Sequence, residues 1–195
     1  MRNSWAVDGN WLADHLSRFQ HIQPHWHPLG FVSCFVLRED DHAVRVHLWP
    51  AGERRPKHPN WPIHTHIFDL ESHVVFGALV DRQYELSPGE AFEKYGVHYN
   101  GIDSDIRPTR ECVRVVKMRE VTHSAGSTYS VAKGIFHETV VNREDTVLTV
   151  ARCQAYDSGP AFVLGKKGTL PYAYERELFD REIFWKAVAE LCFIQ

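Results

Sequence analysis

Cysteine is scarce in this chain, and the four present, Cys34, Cys112, Cys153 and Cys192, are scattered without paired spacing. That excludes a cysteine-rich metal ribbon and argues against a disulfide framework; they read as buried thiols in a reducing compartment. Long apolar runs are missing too. None approaches the roughly 18 residues needed to span a bilayer, and the opening stretch MRNSWAVDGN has no signal-peptide core. A cytoplasmic location with no membrane partner is expected. Positive charge is nowhere concentrated: 22 Lys and Arg stand against 25 Asp and Glu, interspersed, for a net charge of −3. No nucleic-acid footprint follows from that pattern, and a small molecule is the expected partner. Internal repeats and low-complexity segments are absent as well.

At 195 residues the chain is long enough for one core and short for two. The expected organisation is one domain over 1–195: an N-terminal helix and lead strand in 1–45, a barrel in 46–157, and a helical extension in 158–195. Trp11, Leu12, His15, Leu16 and Phe19 recur at helical spacing behind Asp8, a suitable N-cap, and Pro24 and Pro28 close that element. The segments FVSCFVLRE, AVRVHLWP, HVVFGALVDRQYEL, CVRVVKMRE, STYSVA, HETVVN and TVLTVARCQAY then alternate with turn-forming clusters. Many short strands without helices between them predict an all-β sandwich or barrel. The final stretch ERELFDREIFWKAVAELCF returns to helical periodicity, with an apolar face to pack outside the strands.

Histidine is what the chain has in quantity, 13 in all. His64 and His66 lie one residue apart before an apolar run, and on an extended chain residues i and i+2 share a face, so both imidazoles can grip one ion. His137 can join them from another strand. Neutral imidazole suits iron, zinc, copper and nickel, and a histidine-rich site with open positions is built for chemistry. Asp69, Glu71 and His73 share one parity on the strand that follows, so any of the three could face the pair. His58, His98 and His123 are read as non-ligands. Arg45, His47 and Trp49 alternate with Val44, Val46 and Leu48, giving one strand a polar face that could line an interior or face solvent. Tyr129 and Tyr84 could donate a phenol proton to a bound oxygen or carboxylate, or serve as core aromatics. Arg54, Arg55 and Arg152 are candidate carboxylate clamps. The proline- and charge-rich loop AGERRPKHPNWP could cover the site's mouth.

These residues form a frame that resembles the cupin family. Its first motif is matched by His64-Thr65-His66, followed after four intervening residues by Glu71 and after five more by Gly77. Its second is matched by Gly126, Gly134, His137 and Asn142, with Ala132 in place of the usual proline and Asn142 one residue late. Together the motifs span roughly residues 52 to 142. The resemblance implies a double-stranded β-helix, the cupin jelly roll, with the flanking helices added. It implies a divalent metal held by His64, His66, Glu71 and His137, Fe(II) first, with zinc, manganese or nickel as alternatives. Some cupin thiol dioxygenases use three histidines alone, in which case Glu71 becomes a candidate proton acceptor.

The pattern is similar to cysteine-dioxygenase-like and other non-haem iron cupins, so the expected function is a dioxygenase of a small thiol, amino acid or aromatic acid. Glu71 stands near the place where some of those enzymes carry a crosslinked cysteine, so that crosslink is not expected. Glu71 and Tyr129 are the candidate catalytic groups, and Arg45, His47, Tyr84 and Arg152 the candidate substrate contacts. A non-oxidative metal cupin, catalysing an isomerase, lyase or bond-forming step, is the alternative, and a ligand-binding cupin without turnover is the third. Long apolar strands such as HVVFGALV are compatible with a homodimer through edge strands.

Overall fold

A computed structural model describes residues 6–101 and 103–193. In chain order the elements are α1 (Gly9–Phe19), β1 (His25–Trp26), β2 (Leu29–Gly30), β3 (Val32–Arg38), β4 (His42–Trp49), β5 (Arg55–Pro56), β6 (Asp69–Phe76) and β7 (Ala78–Asn100). There follow β8 (Asp103–Ser124), β9 (Thr128–Val131), β10 (Phe136–Val140), β11 (Val147–Gln154), β12 (Ala161–Gly165), β13 (Tyr172–Tyr174) and α2 (Arg181–Phe193). The strands form two main antiparallel sheets. The first has the order β1-β3-β4-β11-β6-β9; the second runs β10-β7-β8-β13, with β12 also on β7. The short β2-β5 ribbon stands apart.

Period-two alternation determines which face each residue takes. On β4, Val44, Val46 and Leu48 point outward, where they join Leu148 and Val150 of β11 under the two helices; Leu12, Leu16, Phe19, Phe184, Trp185 and Val188 close that layer. Asp8 caps α1 by accepting from the Trp11 amide at 2.9 Å, as its position predicts. The opposite face of the first sheet carries Ala43, Trp49, Leu70, Val74 and Val147, and Leu79 of β7 meets them in the core between the sheets.

This is the expected all-β jelly roll with flanking helices. No continuous ladder closes the two sheets into a cylinder among the described residues, so the architecture is a sandwich rather than a hydrogen-bonded barrel. Strands also extend past 46–157: β1 to β3 precede that range, and β12 and β13 lie in the stretch expected to be helical, where only α2 is a helix. Those two strands are short, and AFVLG and YAY carry too few residues for a periodic signal.

The run HVVFGALV is divided at Gly77, where the chain leaves the first sheet for the second. Gly77 has φ +79°, and a Cβ there would come 2.4 Å from the Thr146 carbonyl oxygen. Only glycine fits such a crossing. Among the described residues, no helix is long and apolar enough to cross a membrane, and the four cysteines are free thiols.

Candidate metal centre

Residues 61–68 lie outside the named strands, yet main-chain bonds keep the segment extended. The His64 amide donates to the His137 carbonyl and the His137 amide to the His64 carbonyl, both at 2.9 Å. One residue on, the Thr65 amide donates to the Phe162 carbonyl at 2.8 Å, and the Thr65 hydroxyl accepts from the Phe162 amide at 2.9 Å. Gly134 donates to the His66 carbonyl at 3.0 Å. Thr65 is thereby buried on one side while His64 and His66 project together on the other. Their ring centroids are 4.9 Å apart, and each lies within 4.8 Å of the His137 ring. One nitrogen from each of the three falls within 4.8 Å of the other two.

The outer nitrogens fix the tautomers of His64 and His137, while His66 Nδ1 is buried without a partner. A carbonyl can only accept, so the contact of His64 Nδ1 with the Pro62 oxygen at 2.8 Å places a proton on Nδ1 and leaves Nε2 with a lone pair. His137 Nδ1 lies 3.0 Å from Asp81 Oδ1, and Gln83 donates to Asp81 Oδ2 at 2.8 Å. Burial pushes the Asp81 carboxyl up, but its bonds to His137 and Gln83 outweigh that and hold it below the ordinary carboxylate range. Asp81 is therefore an anion that orients His137, the arrangement that supports metal-bound histidines. His137 Nε2 is buried without a hydrogen-bond partner.

Burial, with His137 alongside, pushes His64 down to about 3 and His66 well below its ordinary value. Neutral imidazoles are the ligand form. His64 Nε2 and His66 Nε2 are 3.1 Å apart; two nitrogens each about 2.1 Å from one ion, at tetrahedral or octahedral angles, would be roughly 3.0–3.4 Å apart. The three residues fit a divalent ion.

A pH dependence follows. His47 is also pushed down to about 3, by burial and by Arg45, and His27 well below its ordinary value, by burial and then Arg176. The unfolded chain takes up protons near pH 6.5 that the folded chain refuses until about pH 3, so folding loses stability as pH falls through that window. Tm of metal-free protein should drop steadily from pH 7 to pH 4. A flat profile would mean that these imidazoles are not held neutral.

The triad opens on a cavity of about 240 Å³ whose walls include His27, Arg45, His47, Trp49, Phe68 and Tyr129. Arg45 and His47 thus lie on the inner face, as the alternation on β4 allowed. Tyr129 is buried, stacks on His123 at 4.4 Å, and is pushed up to about 12 by burial, so its phenol stays protonated. Tyr84 does not line this cavity; it donates to Glu138 at 2.5 Å and packs near Phe136 and Leu164.

Glu71 is not brought to the histidines. On β6, Leu70, Ser72 and Val74 are buried toward the core, and Asp69, Glu71 and His73 take the other face. There Glu71 accepts from Arg152 at 3.0 Å, Asp69 accepts from the Lys133 amide at 3.0 Å, and His73 Nδ1 meets the Thr128 hydroxyl at 2.9 Å. The sheet separates all three, and Arg152 with them, from the cavity. Glu71→Gln should therefore leave metal content and turnover unchanged. A loss of bound metal on that substitution, measured by elemental analysis, would return Glu71 to the ligand set.

His58, His98 and His123 stay outside the histidine grouping; His123 stacks on Tyr129 and lies near Asp81. Asp81 and His27 went unread in the sequence. Asp81 had a usable signal, a carboxylate in phase with buried Leu79 on an apolar strand. His27 had none, since only folding places it beside the triad, stacked on Phe31 at 4.3 Å.

No protein-family model matches the chain, and no curated protein matches it. Solved structures do. KdgF from Halomonas sp. is 16% identical over 71% of this chain and 90% of its own, with a TM-score of 0.39. A cupin-like protein from Thermotoga maritima is 10% identical over 71% of this chain and 86% of its own, at 0.37. Hydroxypropylphosphonic acid epoxidase from S. wedmorenis is 9% identical over 68% of this chain, which spans 55% of that enzyme, at 0.39. These likenesses are distant. In this chain the two facing antiparallel sheets carry the histidine triad between them.

Proposed function

We propose that the chain is a metal-dependent enzyme acting on a small anionic molecule, with His64, His66 and His137 holding one divalent ion. The observation that carries the reading is the convergence of three imidazoles, one oriented by buried Asp81, on a cavity that also holds Arg45. The ion would supply open coordination positions, for dioxygen activation if it is Fe(II) or for Lewis acidity if it is zinc, manganese or nickel.

The chain's own groups do the rest. Arg45 Nε is buried without a partner, and its guanidinium can hold a substrate carboxylate. Tyr129 keeps its proton and can donate it to an oxygen of the bound molecule. Trp49 and Phe68 exclude water from one side and strengthen those polar contacts.

The first form of this reading is a non-haem Fe(II) dioxygenase of a small thiol, amino acid or aromatic acid. The ligand set also serves a second form: no carboxylate joins the three histidines among the described residues, as in the three-histidine thiol dioxygenases, whereas two histidines and a carboxylate is the common non-haem iron set. Three imidazoles leave the ion its full double charge, which suits a non-oxidative lyase or isomerase step. Metal analysis of protein purified without added metal, followed by oxygen uptake of the iron-loaded form with small thiols, amino acids and aromatic acids, separates the two. Iron with substrate-dependent uptake supports the dioxygenase. Zinc without uptake supports the second form, and binding without turnover under either metal overturns the enzyme reading.

A further inference from the structure

A larger chamber of about 510 Å³ adjoins the triad cavity. Arg45 and Phe68 line both. A narrower void of about 70 Å³ is walled by Arg45 and Arg176 together with His64 and His66. Arg38, Arg45 and Arg176 all line the chamber, and none of the three is ion-paired with a carboxylate among the described residues. The Arg38 guanidinium carbon lies 3.7 Å from the centroid of the Phe35 ring and that of Arg45 4.1 Å from the same ring, so two cations share one aromatic support. Burial and the neighbouring Arg45 push Arg176 down to about 10, which still leaves it cationic at neutral pH. The acids on the chamber wall, Glu39 and Asp40, are exposed, and Glu39 faces His42 at 3.5 Å.

Three polar atoms in this wall are also unsatisfied. Ser33 Oγ, Arg45 Nε and Arg176 Nε are buried without hydrogen-bond partners. Buried donors are ordinarily satisfied, and Arg45 and Arg176, half-buried beside exposed Arg38, keep such donors without a partner. Asp103, which accepts from the Arg176 amide at 2.9 Å, offsets part of this charge; three like charges with so little opposite charge still cost stability, which a bound anion would restore. The remaining wall is apolar, with Phe35, Ile67, Phe68 and Tyr156.

We infer that this chamber is an acid-binding half of the site. Resting on the metal-enzyme reading, it assigns the substrate class as a small organic dianion, one acid group held by Arg38, Arg45 and Arg176 and the reacting end directed at the histidine triad. The carbon frame between them lies against Phe35 and Phe68. A monoanion held by the three arginines would bring no second acid group to the triad end.

Calorimetric titration of metal-loaded protein with succinate, glutarate and adipate, against butyrate and pentanoate, tests this. At least one dicarboxylate should bind about tenfold or more tightly than the monocarboxylates, the worth of one added charge-assisted pair. Arg176→Gln and Arg38→Gln should each remove most of that preference while metal per chain stays at the wild-type value. Arg38 is exposed, so its substitution carries the test even where Arg176→Gln fails to fold. In metal-free protein the same dicarboxylate should raise Tm, and Arg38→Gln should shrink that shift. Equal binding of mono- and dicarboxylates by wild type, or no binding of either, overturns the inference, as does a preference untouched by the variants. Failure of wild type to hold metal would overturn the metal reading instead, and the Tm shift of metal-free protein would still decide this one.

Discussion

His137→Ala protein should retain far less than one ion per chain after dialysis, where wild type retains about one. His137 is 1% exposed, its Nδ1 is committed to Asp81, and its Nε2 has no protein partner. Nothing but a ligand would use that lone pair. The paired bonds between residues 64 and 137 are main-chain, so alanine keeps them and leaves the His64 and His66 rings in place. Two imidazoles remain, and affinity should fall by more than the roughly 10- to 100-fold that loss of a supporting group costs. Full metal at wild-type affinity in this variant would remove His137 from the site.

Asp81→Asn is the second large effect. Asp81 is 1% exposed and touches His137 and Gln83, so asparagine fills the same space. Its amide has no charge, and where its NH₂ faces Nδ1 it forces the His137 proton onto Nε2, the nitrogen that a metal needs free. Affinity should drop about 10- to 100-fold, with on the order of one ion still bound at saturating metal. A positioning residue should also change how metal binding responds to pH, because asparagine removes the carboxylate that fixes the proton on Nδ1. Unchanged affinity with an unchanged pH profile would reduce Asp81 to a packing group.

The triad was legible because its logic is local: an HxH pair projects both rings to one side of any extended chain, even one lying outside the sheets. His137 was legible through the glycine frame, and Gly134 does hold the turn that meets the His66 carbonyl. Glu71 shows the limit of a frame. Its offset from His66 is right, but β6 begins at Asp69 with Leu70 turned inward, and that parity carries Glu71 outward to Arg152. No spacing rule reports which phase a strand adopts after an irregular lead-in. Arg45 and His47 were legible as sharing one face because β4 alternates without interruption where they lie, but alternation alone leaves open whether that face lines the interior or meets solvent. Arg38 and Arg176 could not be read together, since 137 intervening residues separate them and only folding brings both to one chamber.

The central claim is that His64, His66 and His137 hold one divalent ion between the two sheets. Anomalous diffraction from crystals of the metal-loaded protein, collected on both sides of the metal's absorption edge, tests it most directly. The account predicts one peak per chain, about 2.1 Å from a nitrogen of each of the three histidines, with no carboxylate oxygen of Glu71 in contact. A peak held by other residues, or protein that binds one ion per chain with none at this triad, would contradict it.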